Sequence, residues 1–576
     1  MIRKLKPYLK GYGKYALLCC LCMIGEAVLE LCMPFLMAKI VDVGIPNNDL
    51  DYVIQMGMLM IGIAVISLCC GAGASWLSAK ASMGFGSQLR KGVFDKIQQF
   101  SFANIDHFST ASLVTRTTTD ISNIQNMFMM LNKMALRSPV MLVFAIFMAS
   151  MINSQLVTVF LCVVPVLAIA LFMIVKMAFP RFEAMLAKYD ALNHSIQENL
   201  ISIRVVKAFV RAKHEKEKFS ESNDGLMKAS IAAEKIIIFN MPIMQLATYF
   251  CIITILWFGG NLVIEGSMLT GELMSFITYI TQILMALMML SMIFVNVLIS
   301  SASITRVIEV LDETVDILDG PHPEYQLEDG SIVFKNVGFG YKKDTDDRVL
   351  KNIDLTIQSG EMIGIIGGTG SSKTSLVQLI ARLYDVNEGE IIVGGHNVKD
   401  YNLKTLRDGV SMVLQKNVLF SGSIEENLRW GDANASFEEI EEACRQACAD
   451  EFIKDLPGQY QMDLGQGGVN VSGGQKQRLT IARALLKKPK IIILDDSTSA
   501  VDTATDAKIR QAFKENLSET TTLIIAQRIS SIESADRIVV MDNGMINAVG
   551  THEELLANNP IYQEVYYSQN KGGIEQ

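Results

Sequence analysis

The stretch GGTGSSKTS, residues 367–375, has the residue types needed to hold phosphate. It stands between MIGII, a run with strand character, and TSLVQLIARLY, a run with helical character. A glycine-rich turn that opens a helix offers backbone N–H groups and the positive end of the helix dipole to an anion. Lys373 can then reach terminal phosphates, and Thr374 can place a hydroxyl on a magnesium ion. The strict pattern has Gly where Ser372 stands, and a side chain there crowds the phosphate approach. Taken alone, the stretch also reads as a merely structural turn.

A second acidic element lies downstream. KIIILD, 490–495, reads as a buried strand that delivers Asp495 to a sheet edge, where it can hold Mg²⁺ through water. ATP-hydrolysing machines usually carry Asp and then Glu at such a place, but Asp496 is one methylene short. An ordinary strand-to-helix turn is the bland alternative, and it is a poor one with a phosphate loop upstream.

VSGGQKQRL at 471–479 joins these elements to Gln415, in MVLQKNVLFSGSIEENL, and to SAVD at 499–502. In this order the motifs resemble the nucleotide-binding domain of ATP-binding cassette (ABC) transporters. The resemblance implies that Tyr341, in VGFGYKK, stacks on adenine. It implies that Gly367, Gly368, Thr369, Gly370, Ser371, Ser372, Lys373, Thr374 and Ser375 cradle the phosphates of ATP. Thr374, Gln415 and Asp495 would serve Mg²⁺, with Gln415 also sensing the γ-phosphate. Ser472, Gly473, Gly474 and Gln475 are the signature, which in this family contacts ATP on the opposite cassette. Two cassettes sandwich two ATP molecules, so each chain owns half of both sites.

Three departures bear on catalysis. Asp496 stands where the family acid positions the attacking water, and phosphoryl transfer depends mainly on positioning, so a displacement of about 1 Å costs roughly 100-fold. In TTLIIAQRISSI, 521–532, Gln527 replaces the usual His. A glutamine can donate a hydrogen bond to the γ-phosphate but cannot carry an imidazolium charge. In LGQGGVNVSGGQ, 464–475, Gln466 and Gly467 replace a charged pair, whereas the signature differs only in Val471 for Leu. The expectation is a chain whose own site, with Asp496 and Gln527, is degenerate, and whose signature completes a competent site in a different partner chain.

The elements that position these residues divide between two solvents. The chain has 576 residues, half of them hydrophobic, and exceeds the usual size of one domain. Residues 1 to about 310 contain six apolar stretches, near 14–42, 53–82, 127–152, 156–180, 240–264 and 274–302. Each is long enough for a bilayer, which needs roughly 20 residues. The second, fourth and sixth are expected to continue as long amphipathic helices. Beyond DGPHPEYQLEDG, 319–330, strand-like runs such as SIVFKNV, MIGIIG and KIIILD alternate with helical ones, which indicates an α/β domain with a substantially parallel sheet. The expected fold is a membrane all-α six-helix transmembrane domain over 1–318, a linker over 319–330, and a cytoplasmic α/β P-loop ATP-binding cassette over 331–576.

The start, MIRKLKPYLKGYGKYALL, is expected to be a membrane-entry helix rather than a removable signal peptide. The connections VGIPNNDLDY, SMINSQL and IEGSMLTGE contain no Lys or Arg, while the opposite ones include SQLRKGVFDK and VRAKHEKEKF. The positive-inside rule then places both termini and the cassette in the cytoplasm, with the spans in the cell membrane. The net charge of −9 comes without a basic domain, so nucleic acid is not an expected partner. The ten cysteines lie mostly in spans and read as structural filling rather than metal ligands or disulfides, and the six histidines are scattered.

Six spans fused ahead of one cassette resemble an exporter-type half-transporter. FANIDHFSTASLVTRTTTDI and ENLISIRVVKAF, near 102–121 and 198–209, match the cytoplasmic turns that couple exporter helices to cassettes, a solvated charged face being the alternative. The implied function is ATP-driven export of amphipathic small molecules, drugs, lipids or peptides, with a second half-transporter and membrane lipid as partners. A lipid flippase and an ATP-gated channel or regulator are the alternatives. Gln282, Met285, Met289, Met292 and Asn296 share one helical face, either toward a substrate cavity or in helix packing. Glu26 and Glu30 also share a face, and either attract cationic substrates or pair with Lys or Arg of another helix.

Overall fold

A computed structural model describes residues 2–342, 347–496 and 501–571. Their contacts divide the chain into two units, residues 1–99 with 109–313, and residues 100–108 with 314–576.

The first unit is helical. Among the described residues, six helical segments are long and apolar enough to cross a membrane: Gly13–Gly44, Leu50–Gln98, Thr110–Ile152, Val157–Ile201, Ala212–Ile264 and Thr270–Phe294. The second, fourth and sixth helices run far beyond a bilayer's needs, to Gln98, Ile201 and Asp312. Helices also lead into the third and fifth spans from Thr110 and Ala212, which the apolar pattern did not announce. The leading segment Ala212–Ile237, AKHEKEKFSESNDGLMKASIAAEKII, is too polar to give an apolar signal.

Close approach sets the packing of the second helix. A Cβ on Gly84 would stand 2.2 Å from the Tyr12 ring, and one on Gly86 2.2 Å from Gln125, so the bare backbone admits both neighbours. The first and sixth spans are joined by neutral hydrogen bonds. Tyr279 Oη donates to the Leu31 carbonyl at 3.0 Å, and Ser275 Oγ donates to the carbonyl of Pro34, a proline inside the first span. Asp42 ends this seam, accepting from the Gly271 and Glu272 N–H groups at 2.6 and 3.0 Å. Those are orphan donors at the start of the sixth helix, so the carboxylate acts as a cap supplied by another helix.

The second unit contains two sheets. Strands β1 (Ile332–Phe339), β2 (Leu350–Ile357), β4 (Glu388–Val393) and β5 (His396–Asn397) form an antiparallel sheet in the order β2-β1-β4-β5. Strands β3 (Met362–Gly367), β6 (Val410–Val413), β7 (Ile491–Asp495), β8 (Thr521–Ile525), β9 (Arg537–Asp542) and β10 (Met545–Gly550) form a sheet in the order β10-β9-β3-β8-β7-β6. Only β10 runs antiparallel in it. All five residues of β7 and of β8 are buried, as expected of strands covered on both faces. The helix after the phosphate loop is shorter than its sequence suggests: Lys373–Gln378 ends before Arg382, which takes φ +47° and bonds Asp385.

The segment Phe102–Phe108 is a short helix that belongs with the second unit although it follows the second span in sequence. Tyr384 Oη donates to Asp106 Oδ2 at 2.8 Å and its ring lies 6.0 Å from that of Phe102. Asn104 Nδ2 donates to the Thr314 carbonyl at 3.0 Å. The rest of the same sequence motif stays in the first unit, where buried Asp120 accepts from Ser303 Oγ and Arg306 Nε, each at 2.8 Å.

Loss of the inter-helix cap should be measurable. Asp42→Ala is expected to lower stability by about 1 kcal/mol, the usual worth of a helix cap, and Asp42→Asn by less. Thermal unfolding of the detergent-solubilised protein checks this, and equal behaviour of Asp42→Ala and wild type would overturn the assignment.

Candidate nucleotide site

The phosphate-loop residues follow β3 as a turn shaped by its glycines. A Cβ on Gly367 would lie 2.2 Å from the Met541 carbonyl, and Gly370 takes φ +86°, so both positions need glycine. Ser372 takes φ +67° and ψ +27° as the residue just before the helix Lys373–Gln378. A side chain in this left-handed region is strained, by roughly 1 kcal/mol. The effect of the Ser372 departure is therefore one of backbone strain.

Lys373 Nζ donates to the carbonyls of Gly367 and Gly368, each at 2.9 Å, and to Ser371 Oγ at 3.1 Å. Burial pushes its ammonium pKa down, against the opposing pull of Asp495 and Asp496. Thr374 Oγ1 donates to Asp495 Oδ1 at 3.1 Å. Asp495 is 2% exposed, and its Oδ2 is buried with no hydrogen-bond partner. Burial raises its carboxyl pKa, and the neighbouring Asp496 raises it further. A hydroxyl beside a buried carboxylate oxygen with no bonded partner is an all-oxygen donor set that fits Mg²⁺.

Asp496 follows on a left-handed backbone, φ +48°, with its N–H on the Ile525 carbonyl at 3.0 Å. Its Oδ2 accepts from Gln527 Nε2 at 2.8 Å. Burial raises its carboxyl pKa, while hydrogen bonds from Gln415 and Gln527 pull it down. The structure thus brings together Lys373, Thr374, Gln415, Asp495, Asp496 and Gln527. Tyr341, 48% exposed, bonds Ser375 Oγ at 2.8 Å and packs edge-on against Tyr384 at 5.2 Å between ring centroids.

The signature stands apart. Ser472 caps the helix Gly473–Leu486 in a reciprocal pair with Gln475: Ser472 N donates to Gln475 Oε1 at 2.8 Å and Gln475 N to Ser472 Oγ at 3.3 Å. No hydrogen bond among the described residues joins Ser472, Gly473, Gly474 or Gln475 to the phosphate loop, and Ser472 and Gly473 are exposed. Just before it, Gly465, Gly467 and Gly468 all take positive φ, and Lys476 Nζ donates to the Gly467 carbonyl at 2.8 Å. Gly467, where a charged residue was expected from the resemblance, is thus a turn former. Of SAVD, Ser499 and Ala500 lie outside the described residues, while Asp502 caps the helix Thr503–Asn516.

Two residues near the site gave no sequence signal. Gln569, in the C-terminal helix Pro560–Lys571, donates to the Gln527 carbonyl at 2.8 Å and accepts from Ile529 N at 2.9 Å, so it fixes the segment that carries Gln527. Tyr384 joins Tyr341 to the helix Phe102–Phe108. Neither lies in a motif, and each reaches its partner across a long sequence separation.

Comparison with known proteins bears on the family and the fold. Residues 16–287 match the ABC transporter transmembrane region and residues 350–499 the ABC transporter family. The uncharacterized ABC transporter ATP-binding protein YfiB of Bacillus subtilis (strain 168) is 38% identical over 571 residues, which are 99% of this chain and 98% of that one. The chain belongs to the ABC transporter family. The ATP-dependent lipid A-core flippase of Syntrophus aciditrophicus (strain SB) is 31% identical over 554 residues, 96% of this chain and 91% of that one. A bacterial Atm1-family ABC exporter with ATP bound shares the fold, with a TM-score of 0.85 and 24% identity over 97% of this chain and 99% of that one. This ABC transporter is accordingly a half-transporter with six apolar helices fused to a nucleotide-binding domain, and an ATP-hydrolysing translocase.

Strain at Ser372 gives a test. Ser372→Gly should relieve about 0.5–1 kcal/mol, less what the unfolded chain gains in freedom. If the relief appears in the nucleotide complex, Mg-ATP affinity rises about twofold to fivefold. Equilibrium nucleotide binding checks this, and weaker binding by the variant would contradict it.

Proposed function

We propose that this chain is the degenerate-site subunit of a heterodimeric exporter. It binds Mg-ATP between Tyr341, the Gly367–Ser375 loop, Gln415 and Asp495, hydrolyses it slowly, and lends Ser472, Gly473, Gly474 and Gln475 to the competent site of a different half-transporter. Asp495 and Thr374 hold the Mg²⁺, which supplies charge neutralisation at the phosphates.

The observation that carries this reading is the state of Asp496. An acid that positions an attacking water needs a free lone pair in line with the phosphate. Here the acid is one methylene short, and its Oδ2 is held by Gln527 at 2.8 Å. Gln415 binds it as well. Gln527 also has no charge to offer the γ-phosphate. By contrast the signature helix begins at an exposed, capped N-terminus suited to an anion brought by another cassette.

The need for a partner is supported elsewhere in the first unit. The turn around the helix Ile203–Ala208 exposes Leu200 (64%), Ile201 (76%), Phe209 (73%) and Val210 (85%). These apolar side chains stand among exposed Arg204, Lys207 and Arg211, a mixture that suits burial against another chain. The spans lie in the cell membrane with the cassette and both termini in the cytoplasm, as the loop charges indicate. Amphipathic molecules are the proposed cargo. The relative named as a lipid A-core flippase supports a second reading, in which the cargo is a membrane lipid.

Within the cassette unit, Tyr384 is placed to couple the base site to the helix Phe102–Phe108. Burial raises its phenol pKa, and the hydrogen bond to Asp106 raises it further, so the hydroxyl stays a donor. Tyr384→Phe should leave Mg-ATP affinity within about twofold and reduce substrate stimulation of ATPase by about tenfold, the worth of one charge-assisted hydrogen bond. Unchanged stimulation would remove the coupling role.

The asymmetry of the two sites has its own test in the complex with the partner half-transporter. Asp496→Asn should change turnover less than about threefold. Ser472→Arg should remove at least about 90% of it, because bulk and charge enter the partner's γ-phosphate site. Lys373→Ala should weaken nucleotide retention more than the chemical step. Comparable collapse from Asp496→Asn and Ser472→Arg would mean that both sites are working sites.

A further inference from the structure

The membrane-spanning unit carries a second concentration of charge, around a cavity of about 450 Å³. Its lining includes Met23, Glu26, Lys133, Met134, Arg137 and Met289. Glu26 and Glu30 of the first span are drawn to one base. Arg137 Nη2 lies 2.7 Å from Glu30 Oε2, and Nη1 lies 3.5 Å from Glu26 Oε1. Pairing with an arginine of another helix is therefore what the two acids do. Arg137 and Glu30 form the hydrogen-bonded pair, which leaves Glu26 with hydrogen-bonding capacity toward the cavity.

Gly71 of the second span makes room for that carboxylate, since a Cβ there would stand 2.9 Å from Glu26 Oε1. Lys133 also lines the cavity, precedes Arg137 by one helical turn and has no carboxylate within ion-pair distance among the described residues. Arg137 Nε is also buried without a hydrogen-bond partner. The cavity thus presents an ammonium without an ion pair, Lys133, and a carboxylate with spare acceptors, Glu26. The four charged side chains sum to zero.

Depth adds to this. Lys133 lies 19 residues before Ile152, the end of the third span, or about 28 Å along a helix. Glu26 lies 18 residues before Gly44, the end of the first, or about 27 Å. Measured from the other end of the first span, Glu26 lies 13 residues after Gly13, or about 20 Å, so it sits well inside a hydrocarbon core about 30 Å thick. Charge at that depth turns toward a cavity or a partner, and Met23, Met134 and Met289 supply polarizable apolar wall beside it.

We infer that this cavity is the headgroup site for a zwitterionic amphiphile, its anionic group on Lys133 and its cationic group on Glu26. The inference rests on the exporter reading and names the class of cargo. Neither charge of such a ligand is left without a counter-charge, whereas a purely anionic or cationic amphiphile leaves one of the two groups unmatched.

Competition binding to the purified full-length chain in neutral maltoside micelles tests this, with a fluorescent-tailed lysophosphatidylethanolamine as the displaced probe. Dodecylphosphocholine should displace it at a concentration at least about tenfold below dodecyl phosphate or dodecyltrimethylammonium, and free phosphocholine should be at least about tenfold weaker than its dodecyl form. Lys133→Gln should cancel the advantage of the zwitterion over the cation, and Glu26→Gln its advantage over the anion. Equal displacement by a singly charged amphiphile, equal competition by tail-less phosphocholine, or an unchanged order in Lys133→Gln would overturn the inference. Lys133 makes no ion pair, so that variant stays informative even where Glu26→Gln fails to fold. Wild-type binding as described, with no ATP-driven export by the complex, would instead defeat the exporter reading and leave the site standing.

Discussion

The cassette depends on keeping one carboxylate, Asp495, inside the protein. β7 consists of Ile491, Ile492, Ile493, Leu494 and Asp495, all buried, so the strand that makes the sheet core also carries an acid into it. Burying a carboxylate is costly unless hydrogen bonds or a cation compensate. The protein supplies one hydroxyl, from Thr374, and leaves Oδ2 without a partner. The phosphate loop has to lie where Thr374 and Lys373 face this acid, and the parallel pairing of β3, β8 and β7 achieves that by setting three strand ends side by side. The proposed divalent cation would thus be held by an oxygen that the filling of the sheet leaves without a partner.

The following acid shows how a one-residue change propagates. Asp496 sits at φ +48°, so its side chain leaves the strand in a direction set by a strained backbone. Gln527 holds it, and Gln527 is in turn fixed through its carbonyl by Gln569 of the last helix. The orientation of Asp496 therefore depends on a helix distant in sequence. A shorter acid and an uncharged amide meet in one hydrogen bond, so the two departures form a single unit rather than two independent losses.

Much of this was legible because it is encoded locally. The six spans show as apolar runs, and the phosphate loop, Asp495 and the signature show as motifs whose spacing follows from strand-turn-helix geometry. What escaped has a different physical origin. In the antiparallel sheet, β1 (Ile332–Phe339) pairs with β4 (Glu388–Val393) across the intervening phosphate loop and its helix, and β1 has irregular register at Val337. The assignment of Phe102–Phe108 to the cassette unit depends on Asp106 meeting Tyr384, 278 residues away. Arg137 was invisible as the partner of Glu26 and Glu30 because the three meet in space but share no sequence pattern. Helices leading into the third and fifth spans were missed because polar amphipathic segments carry no hydropathy signal.

The two kinds of polar contact in the membrane unit serve different ends. Between the first and sixth spans, Tyr279 and Ser275 donate to backbone carbonyls, neutral bonds that cost little to desolvate. Such bonds are worth roughly 0.6–2 kcal/mol each in a bilayer and are an economical way to fix two helices. Glu26, Glu30, Arg137 and Lys133 are not. Removing ions from water costs several kcal/mol apiece, and packed apolar residues in place of a buried ion pair are often neutral or stabilising. A cluster with Arg137 bridging two acids and Lys133 unpaired is therefore a poor fastener. It is intelligible as a surface that meets charge on another molecule, and the glycine that gives Glu26 its room places that surface at the wall of a cavity rather than in a helix contact.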